Sequence, residues 1–248
     1  MTKKKIAVFT GAGVSKESGV DTFRDAKDGL WENHKIADVA SITGWFADPS
    51  KVLGFYNERR RQLPTVHPNK AHRLIAELEN YFDVTVITQN VDDLHERGGS
   101  NNILHLHGEL TKAKSSHRTG KAGYDITDSV DIGYEDIKLG DLCEENKAQM
   151  RPDIVWFGEY PYMVDRAYQA VRNADILLII GTSLEITYTI DMLQNAKTDC
   201  EIIYIDPSPS TILDRYSMNV TYLKKPAVEG VGEVANRLMN EAMLKEEE

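Results

Sequence analysis

Several groups of residues in this sequence have types and spacings suited to chemistry. Gly11-Ala12-Gly13 closes the apolar run Lys5-Ile6-Ala7-Val8-Phe9-Thr10. Glycines at such a strand end let the backbone approach a pyrophosphate, whose charge favours a helix amino terminus. The common dinucleotide fingerprint places a third glycine where this chain has Lys16, so a tight turn explains the pair equally well. Gln89, Asn90 and Asp92 follow a second apolar run, and free-standing residues of these types also cap helices, a role open to Asp92 or Asp93. His95, His105 and His107 crowd the next stretch. The alternation His105-Leu106-His107 places both rings on one face of a strand, so spacing alone does not choose a base between them. Tyr56 and Arg59 share one helical face, although Arg59-Arg60-Arg61 also reads as a charge run on a solvated helix.

The elements that must hold these groups are short apolar runs ending in glycine or polar residues. Lys5–Thr10 runs into Gly11, Asp83–Thr88 into Gln89-Asn90, Ile176–Ile180 into Gly181-Thr182-Ser183, and Glu201–Ile205 into Asp206-Pro207. Near-continuous Val/Ile/Leu runs alternating with helices predict an α/β fold around a parallel sheet. Ligands bind such sheets outside the carboxyl ends of the strands, where these polar groups sit. Helices are predicted over 68–81, 164–173 and 231–244, with a fraying tail. Residues 25–65 and 111–151 break the alternation and read as two insertions that build a smaller lobe or lids.

The chain has 248 residues, 29 Lys+Arg against 39 Asp+Glu, and a formal charge of −10. One large domain, or a domain with a smaller lobe, fits that length. The acidic balance disfavours a generic nucleic-acid binder. The run behind Lys3-Lys4-Lys5 is too short for a secretory signal, and Ile176–Ile180 falls far short of a bilayer span. A cytoplasmic protein without membrane or specific nucleic-acid partners is expected. Cys143 and Cys200, the only cysteines, exclude a disulfide-stapled scaffold and a four-cysteine zinc site.

The string from Gly11 through Ser15, Gly19 and Thr22 to Phe23-Arg24 resembles the cofactor signature of the sirtuins, NAD-dependent protein-lysine deacylases. Thr88-Gln89-Asn90-Val91-Asp92, His107-Gly108-Glu109-Leu110 and Gly181-Thr182-Ser183 resemble later sirtuin blocks in the same order. Val155-Trp156-Phe157-Gly158-Glu159 resembles the family's substrate-binding strand. The resemblance spans residues 6 to about 230. It implies a Rossmann-like lobe from residues 1–25, 66–110 and 152–248, with a small lobe from 26–65 and 111–151.

The same resemblance implies roles. NAD is the expected cofactor, held by Gly11, Ala12, Gly13, Ser15, Thr22, Phe23, Arg24, Trp31, Gln89, Asn90, Asp92, Gly181, Thr182, Ser183, Ile205, Asp206 and Ala227. Phe23 is expected to screen the reactive ribose carbon from water. Asn90 and His107 are the expected catalytic pair, because the family's base precedes Gly-Glu-Leu; His105 is then structural. A near-neutral imidazole suits a base that takes a hydroxyl proton. Family members often carry asparagine where Tyr204 stands, so an adenosine contact there is not implied.

Acyl-lysine proteins or peptides are the expected partners, bound through Val91, Val155, Phe157, Gly158 and Glu159. Phe55-Tyr56-Asn57-Glu58-Arg59 resembles the segment of sirtuins that prefer acidic acyl groups, whose tyrosine and arginine grip a carboxylate. Succinyl or malonyl is therefore expected over plain acetyl. Most of the family folds a zinc ribbon on paired cysteines between the histidine and the substrate strand. This chain has only Cys143 there, with His117 the sole nearby histidine, so no metal is expected. Two other readings use the same cofactor pocket: an NAD glycohydrolase or ADP-ribosyl transferase, and a non-catalytic NAD or ADP-ribose sensor.

Overall fold

A strand with Val, Ile or Leu at nearly every position has to be buried on both faces, and the central strands of this protein are. The computed structural model describes residues 3–20, 36–118, 129–216 and 218–246. Its larger sheet contains β1 (Lys5–Thr10), β2 (Asp83–Thr88), β3 (Ile103–His105), β7 (Ile176–Ile180), β8 (Glu201–Ile205) and β9 (Val220–Leu223). All six are parallel, in the order β3-β2-β1-β7-β8-β9. The smaller sheet is antiparallel, in the order β5-β4-β6, from β4 (Gly108–Ser115), β5 (Ser129–Asp131) and β6 (Met150–Ile154).

Side chains alternate across the large sheet with the period of a strand. Ile6, Val8, Leu178 and Ile203 pack on one face against α4 (Lys70–Glu77) and α8 (Ala227–Glu246), through Ala71, Leu74, Ile75, Val231 and Leu238. Ala7, Phe9, Leu177, Ile179 and Tyr204 face the other way, against α6 (Val164–Asn173) and α7 (Thr187–Leu193). The expected 68–81 helix is α4 followed by a 3-10 turn, Leu78–Asn80. The expected 231–244 helix is longer and starts at Ala227.

The two insertions share a third core. In it α1 (Ile36–Val39), α2 (Ile42–Ala47) and α3 (Pro49–Gln62) bring Val39, Trp45, Val52 and Phe55 against Leu110, Ala113 and Ile154 of the small sheet. Asp48 caps α3 by accepting the Lys51 N–H at 2.9 Å, and Pro49 occupies the first helical turn. The polar sequence of 111–151 hides inward-facing charges. Buried Lys114 donates to the Tyr162 hydroxyl at 2.5 Å and lies 3.3 Å from Asp153. Arg151 forks onto Glu159 with two 2.8 Å bonds while stacked on Trp156. A buried charge persists only with such partners.

Two expectations change here. Arg59-Arg60-Arg61 is not a solvated run: Arg60 is fully buried and donates to the Leu110 carbonyl and the Asn57 side chain. His105 and His107 do not share a strand face, because β3 stops at His105 and His107 lies in the turn before β4.

Candidate active site

Strand register gathers the polar strand ends along one edge. Thr10 pairs with Thr88 on one side and Ile180 on the other, and Ile180 pairs with Ile205. Gly11–Ser15, Gln89–Asp92, Gly181–Ser183 and Asp206 therefore leave the sheet side by side. The glycines there serve a close backbone packing. The Gly11 N–H donates to Ile180 and the Gly13 N–H to the Gly181 carbonyl, at 3.0 and 2.8 Å. A Cβ on Gly13 would lie 2.6 Å from the Gly181 Cα, and Gly181 itself has φ +60. The segment continues as 3-10 turns, Ala12–Val14 and Lys16–Ser18, whose Glu17 carboxylate accepts the Val228 N–H near the start of α8. Ala227 is thereby placed near the Gly11–Ser18 segment.

Under this edge lies a buried polar cluster. Ser15 donates to Asp92 at 3.0 Å and accepts from the Asn90 amide at 3.1 Å. The Asn90 backbone N–H is held by Thr88 Oγ1, which also accepts from Thr10. His95 sits 3.1 Å from Thr10, edge-on to His72, whose ring lies 3.4 Å from Ser15 and bonds the Asn69 N–H in a capping box. Burial pushes the Asp92 carboxyl up to about 6, against the pull of the Leu94 N–H and the Ser15 hydroxyl. Burial also holds His72 down to about 4 and His95 well below its ordinary value.

The two histidines of the His-x-His segment have different surroundings. His105 contacts the Asn90 carbonyl and lies 2.7 Å from Glu96; burial opposes its charge, but the Glu96 carboxylate outweighs that and raises it. His107 contacts the Gln89 carbonyl at 3.0 Å and the Tyr188 hydroxyl at 2.7 Å, and burial lowers it to about 4. A neutral imidazole is a proton acceptor at neutral pH, so the half-buried His107 is suited to base chemistry where His105 is tied into an ion pair. The Gln89 side chain in turn accepts from Thr182 at 2.9 Å.

Toward the small lobe, the Val155 N–H donates to the His107 carbonyl at 2.9 Å, and the Phe157 N–H to Ala40 at 3.0 Å. Strand β6 ends at Ile154, so Val155–Glu159 leaves it as a turn, with Phe157 exposed and Gly158 at φ +95. The Glu159 carboxylate is taken by Arg151 and the Trp156 N–H, which shapes this turn. Val91 packs beside the small-lobe core, and its carbonyl accepts from Leu110. Tyr56 is buried, accepts from the Trp156 indole at 3.1 Å, and is pushed up to about 12 by burial. The Arg59 guanidinium lies 3.2 Å over the Phe55 ring. Thr22, Phe23, Arg24 and Trp31 lie outside the described residues.

The family's zinc does not fit the residues present. Cys200 is packed in the core against the large sheet, on another element from Cys143, and both thiols are free. Among the described residues, the one grouping of three His, Cys, Asp or Glu ligand atoms is Glu96, His105 and Glu109. There Glu96 already meets His105, and Glu109 meets Lys112 at 2.6 Å. Tyr204 is buried with its hydroxyl on the Thr182 carbonyl. Tyr188 and His72 were not singled out as site residues from the sequence. An Asn-x-x-His capping pattern marks His72 in retrospect, whereas nothing local marks Tyr188 beyond its place soon after Gly181-Thr182-Ser183.

A parallel sheet with polar loops at its carboxyl edge, a small lobe against that edge and a half-buried imidazole between them define a nucleotide-binding enzyme of the α/β class. Comparison with known proteins gives the family. The Sir2 family's sequence profile matches residues 11–188. An NAD-dependent protein deacylase of Helicobacter pylori (strain ATCC 700392 / 26695) is 46% identical over 239 residues, covering 96% of this chain and 99% of its own length. The NAD-dependent protein deacylase of Bacteroides thetaiotaomicron is also 46% identical, over 236 residues, covering 95% and 98%. A solved Sir2 homologue in complex with ADP-ribose superposes with a TM-score of 0.84 at 33% identity, covering 98% of this chain and 94% of that one. A Sir2 homologue bound to NAD superposes at 0.81 and 32% identity, covering 97% and 91%. The chain belongs to the Sir2 family.

Proposed function

We propose that this protein is an NAD-dependent protein-lysine deacylase that removes acidic acyl groups, succinyl or malonyl, in preference to acetyl. The observation that carries the deacylase reading is the placement of His107. Its half-buried neutral ring stands at the carboxyl edge of the sheet, and its backbone carbonyl is bonded to Val155, the first residue of the exposed turn. Base and candidate peptide-binding segment are thus one hydrogen-bonded unit. Nicotinamide and O-acyl-ADP-ribose are the expected products beside free lysine.

Two lobes frame the reaction: a dinucleotide-binding lobe from 1–25, 66–110 and 152–248, and a small lobe from 26–65 and 111–151. NAD supplies an activated ribose carbon. Ser15, Asn90 and Asp92 are joined through one hydroxyl and offer an amide and a carboxylate to its ribose and carboxamide. Gly11–Gly13, Gln89, Gly181–Ser183, Ile205, Asp206 and Ala227 would line the rest of the cofactor's path; the resemblance assigns Thr22, Phe23, Arg24 and Trp31 to the same cofactor. An acyl-lysine peptide would lie along Val155–Glu159, beside Val91, and its backbone would pair by strand addition. Tyr56 retains its O–H proton while accepting from Trp156, so it can still donate to an acyl carboxylate. Arg59, three residues on along α3, supplies the matching charge. In this reading the small lobe holds no zinc and relies on the Lys114–Asp153 and Arg151–Glu159 pairs. Free thiols at Cys143 and Cys200 fit a reducing compartment such as the cytoplasm.

The test is turnover with NAD and matched acetyl-, succinyl- and malonyl-lysine peptides, followed by mass spectrometry. The acidic acyl peptides should exceed acetyl by about tenfold or more in kcat/KM, the scale of a charge-assisted fork. Arg59→Met should remove that advantage while leaving acetyl turnover near its starting value. Equal rates on all three peptides would remove the Tyr56/Arg59 assignment. Nicotinamide release without peptide deacylation would support an NAD glycohydrolase instead.

A further inference from the structure

An imidazole nitrogen that accepts a hydrogen bond has one lone pair and holds one donor at a time. At His107 the two nitrogens can be told apart. Nδ1 faces the Gln89 carbonyl at 3.0 Å, and a carbonyl only accepts, so Nδ1 carries the ring proton. Nε2 is then the acceptor, and the Tyr188 hydroxyl donates to it at 2.7 Å. The rings meet nearly edge-on, at 79° with centroids 6.3 Å apart, which brings the phenol oxygen to Nε2. Burial pushes the Tyr188 hydroxyl up and the His107 ring down, so both stay neutral near neutral pH.

The loop that delivers Tyr188 is itself tied to the base. Thr182 Oγ1 donates to the Gln89 side chain at 2.9 Å and accepts the Leu184 N–H at 3.3 Å. Leu184 takes a left-handed turn at φ 55, after which α7 begins with Thr189 bonding the Ile186 carbonyl through both N–H and hydroxyl. Gln89 therefore fixes the His107 tautomer with its carbonyl and anchors the Tyr188 loop with its side chain.

We propose that Tyr188 is a built-in occupant of the base: its hydroxyl holds His107 Nε2 until a ribose hydroxyl of the bound cofactor displaces it. This rests on the reading of His107 as the base. Tyr188 acts only through His107, by setting how readily the cofactor gains the lone pair. No bond to carbon forms or breaks in the exchange; one O–H···N hydrogen bond replaces another.

Tyr188→Phe keeps the ring and removes only the hydroxyl. In cofactor-free protein labelled at histidine nitrogens, the His107 signals are assigned by their loss in His107→Ala. The Nε2 resonance should move in Tyr188→Phe to the position of a bare lone pair, with Nδ1 unchanged. In steady-state nicotinamide release, KM for NAD should fall about fivefold, the scale of one neutral hydrogen bond, with kcat undiminished. An unmoved Nε2 resonance, or an unchanged KM, would overturn the proposal. So would a lower kcat at constant KM, because the hydroxyl would then be relaying the proton. The deacylase reading fails separately: nicotinamide release without peptide deacylation removes it, while the resonance and the KM for NAD still report on Tyr188. Undiminished turnover by His107→Ala would remove the base, and the proposal with it.

Discussion

Ser15 is a small side chain on which a whole site depends. Its hydroxyl bonds both the Asn90 amide and the Asp92 carboxylate, and all three are buried. Ser15→Ala leaves a buried donor and a buried acid without their partner, which costs about 1–3 kcal/mol. Urea unfolding should show that loss, and nicotinamide release should drop by roughly tenfold, as a misplaced positioning group does. An unchanged unfolding midpoint together with full turnover would show that Ser15 is not the joint of this cluster. Gln89, Asn90 and Asp92 stood out in the sequence because polar types after an apolar strand are conspicuous, whereas His107 was separated from His105 only by the family resemblance. His72 and Tyr188 did not, because a buried histidine in an amphipathic helix and a tyrosine at a helix start look ordinary. Their roles come from partners distant in sequence.

At the scale of elements, the close approach of the Gly11–Gly13 turn to Gly181 sets the spacing between β1 and β7 at the edge that carries the site. Gly181→Ala would place a Cβ 2.5 Å from the Gly13 carbonyl carbon and the Val14 nitrogen, at φ +60. A loss of about 3 kcal/mol or more is expected, since backbone strain and overpacking combine. Gly54, inside α3, is the contrast: a Cβ there meets nothing within 4 Å. Gly54→Ala should raise stability by about 1 kcal/mol through helix propensity. Chemical denaturation of the two variants checks both signs.

The same scale shows what could be read beforehand. Strands β1, β2, β7 and β8 were legible because continuous Val/Ile/Leu runs end in glycine or polar residues. Strands β3 and β9 were not, being three and four residues long without such a run. The small sheet was masked by its own charges, because Lys114, Arg151 and Asp153 read as solvated until their buried partners are seen. In the site, the distinction between His105 and His107 needed the end of β3, which no alternation pattern supplies.

For the molecule as a whole, buried ionisable groups set the response to acid. His72 and His107 stay neutral down to about 4 in the folded protein, against 6.5 for an ordinary histidine, and burial also holds His95 well below its ordinary value. Between about 4 and 6.5 the unfolded chain binds protons at these sites that the folded chain refuses, so stability rises with pH through this window. Asp92 acts in the opposite sense: raised from 3.8 to about 6, it holds a proton when folded that the unfolded chain has released. Three histidines against one aspartate leave a net slope that is positive near pH 5. The urea midpoint should therefore fall clearly between pH 7 and pH 5. A flat midpoint over that range would show that these rings are not held neutral.

The central position of β1 also has a consequence for how the chain is made. It precedes the other described strands in the chain, yet its neighbours come late: Thr10 meets Thr88 across 78 residues, and Lys5 meets Asp175 across 170. Closing loops of that size delays pairing and slows folding relative to a helical bundle of local contacts. The small sheet, by contrast, draws all its strands from one continuous stretch, Gly108–Ile154. A nascent chain that has not reached β7 therefore carries an apolar strand with an open edge, ready to pair with another copy. Until β7 emerges, the strand that ends at the candidate site is therefore also a segment exposed to association.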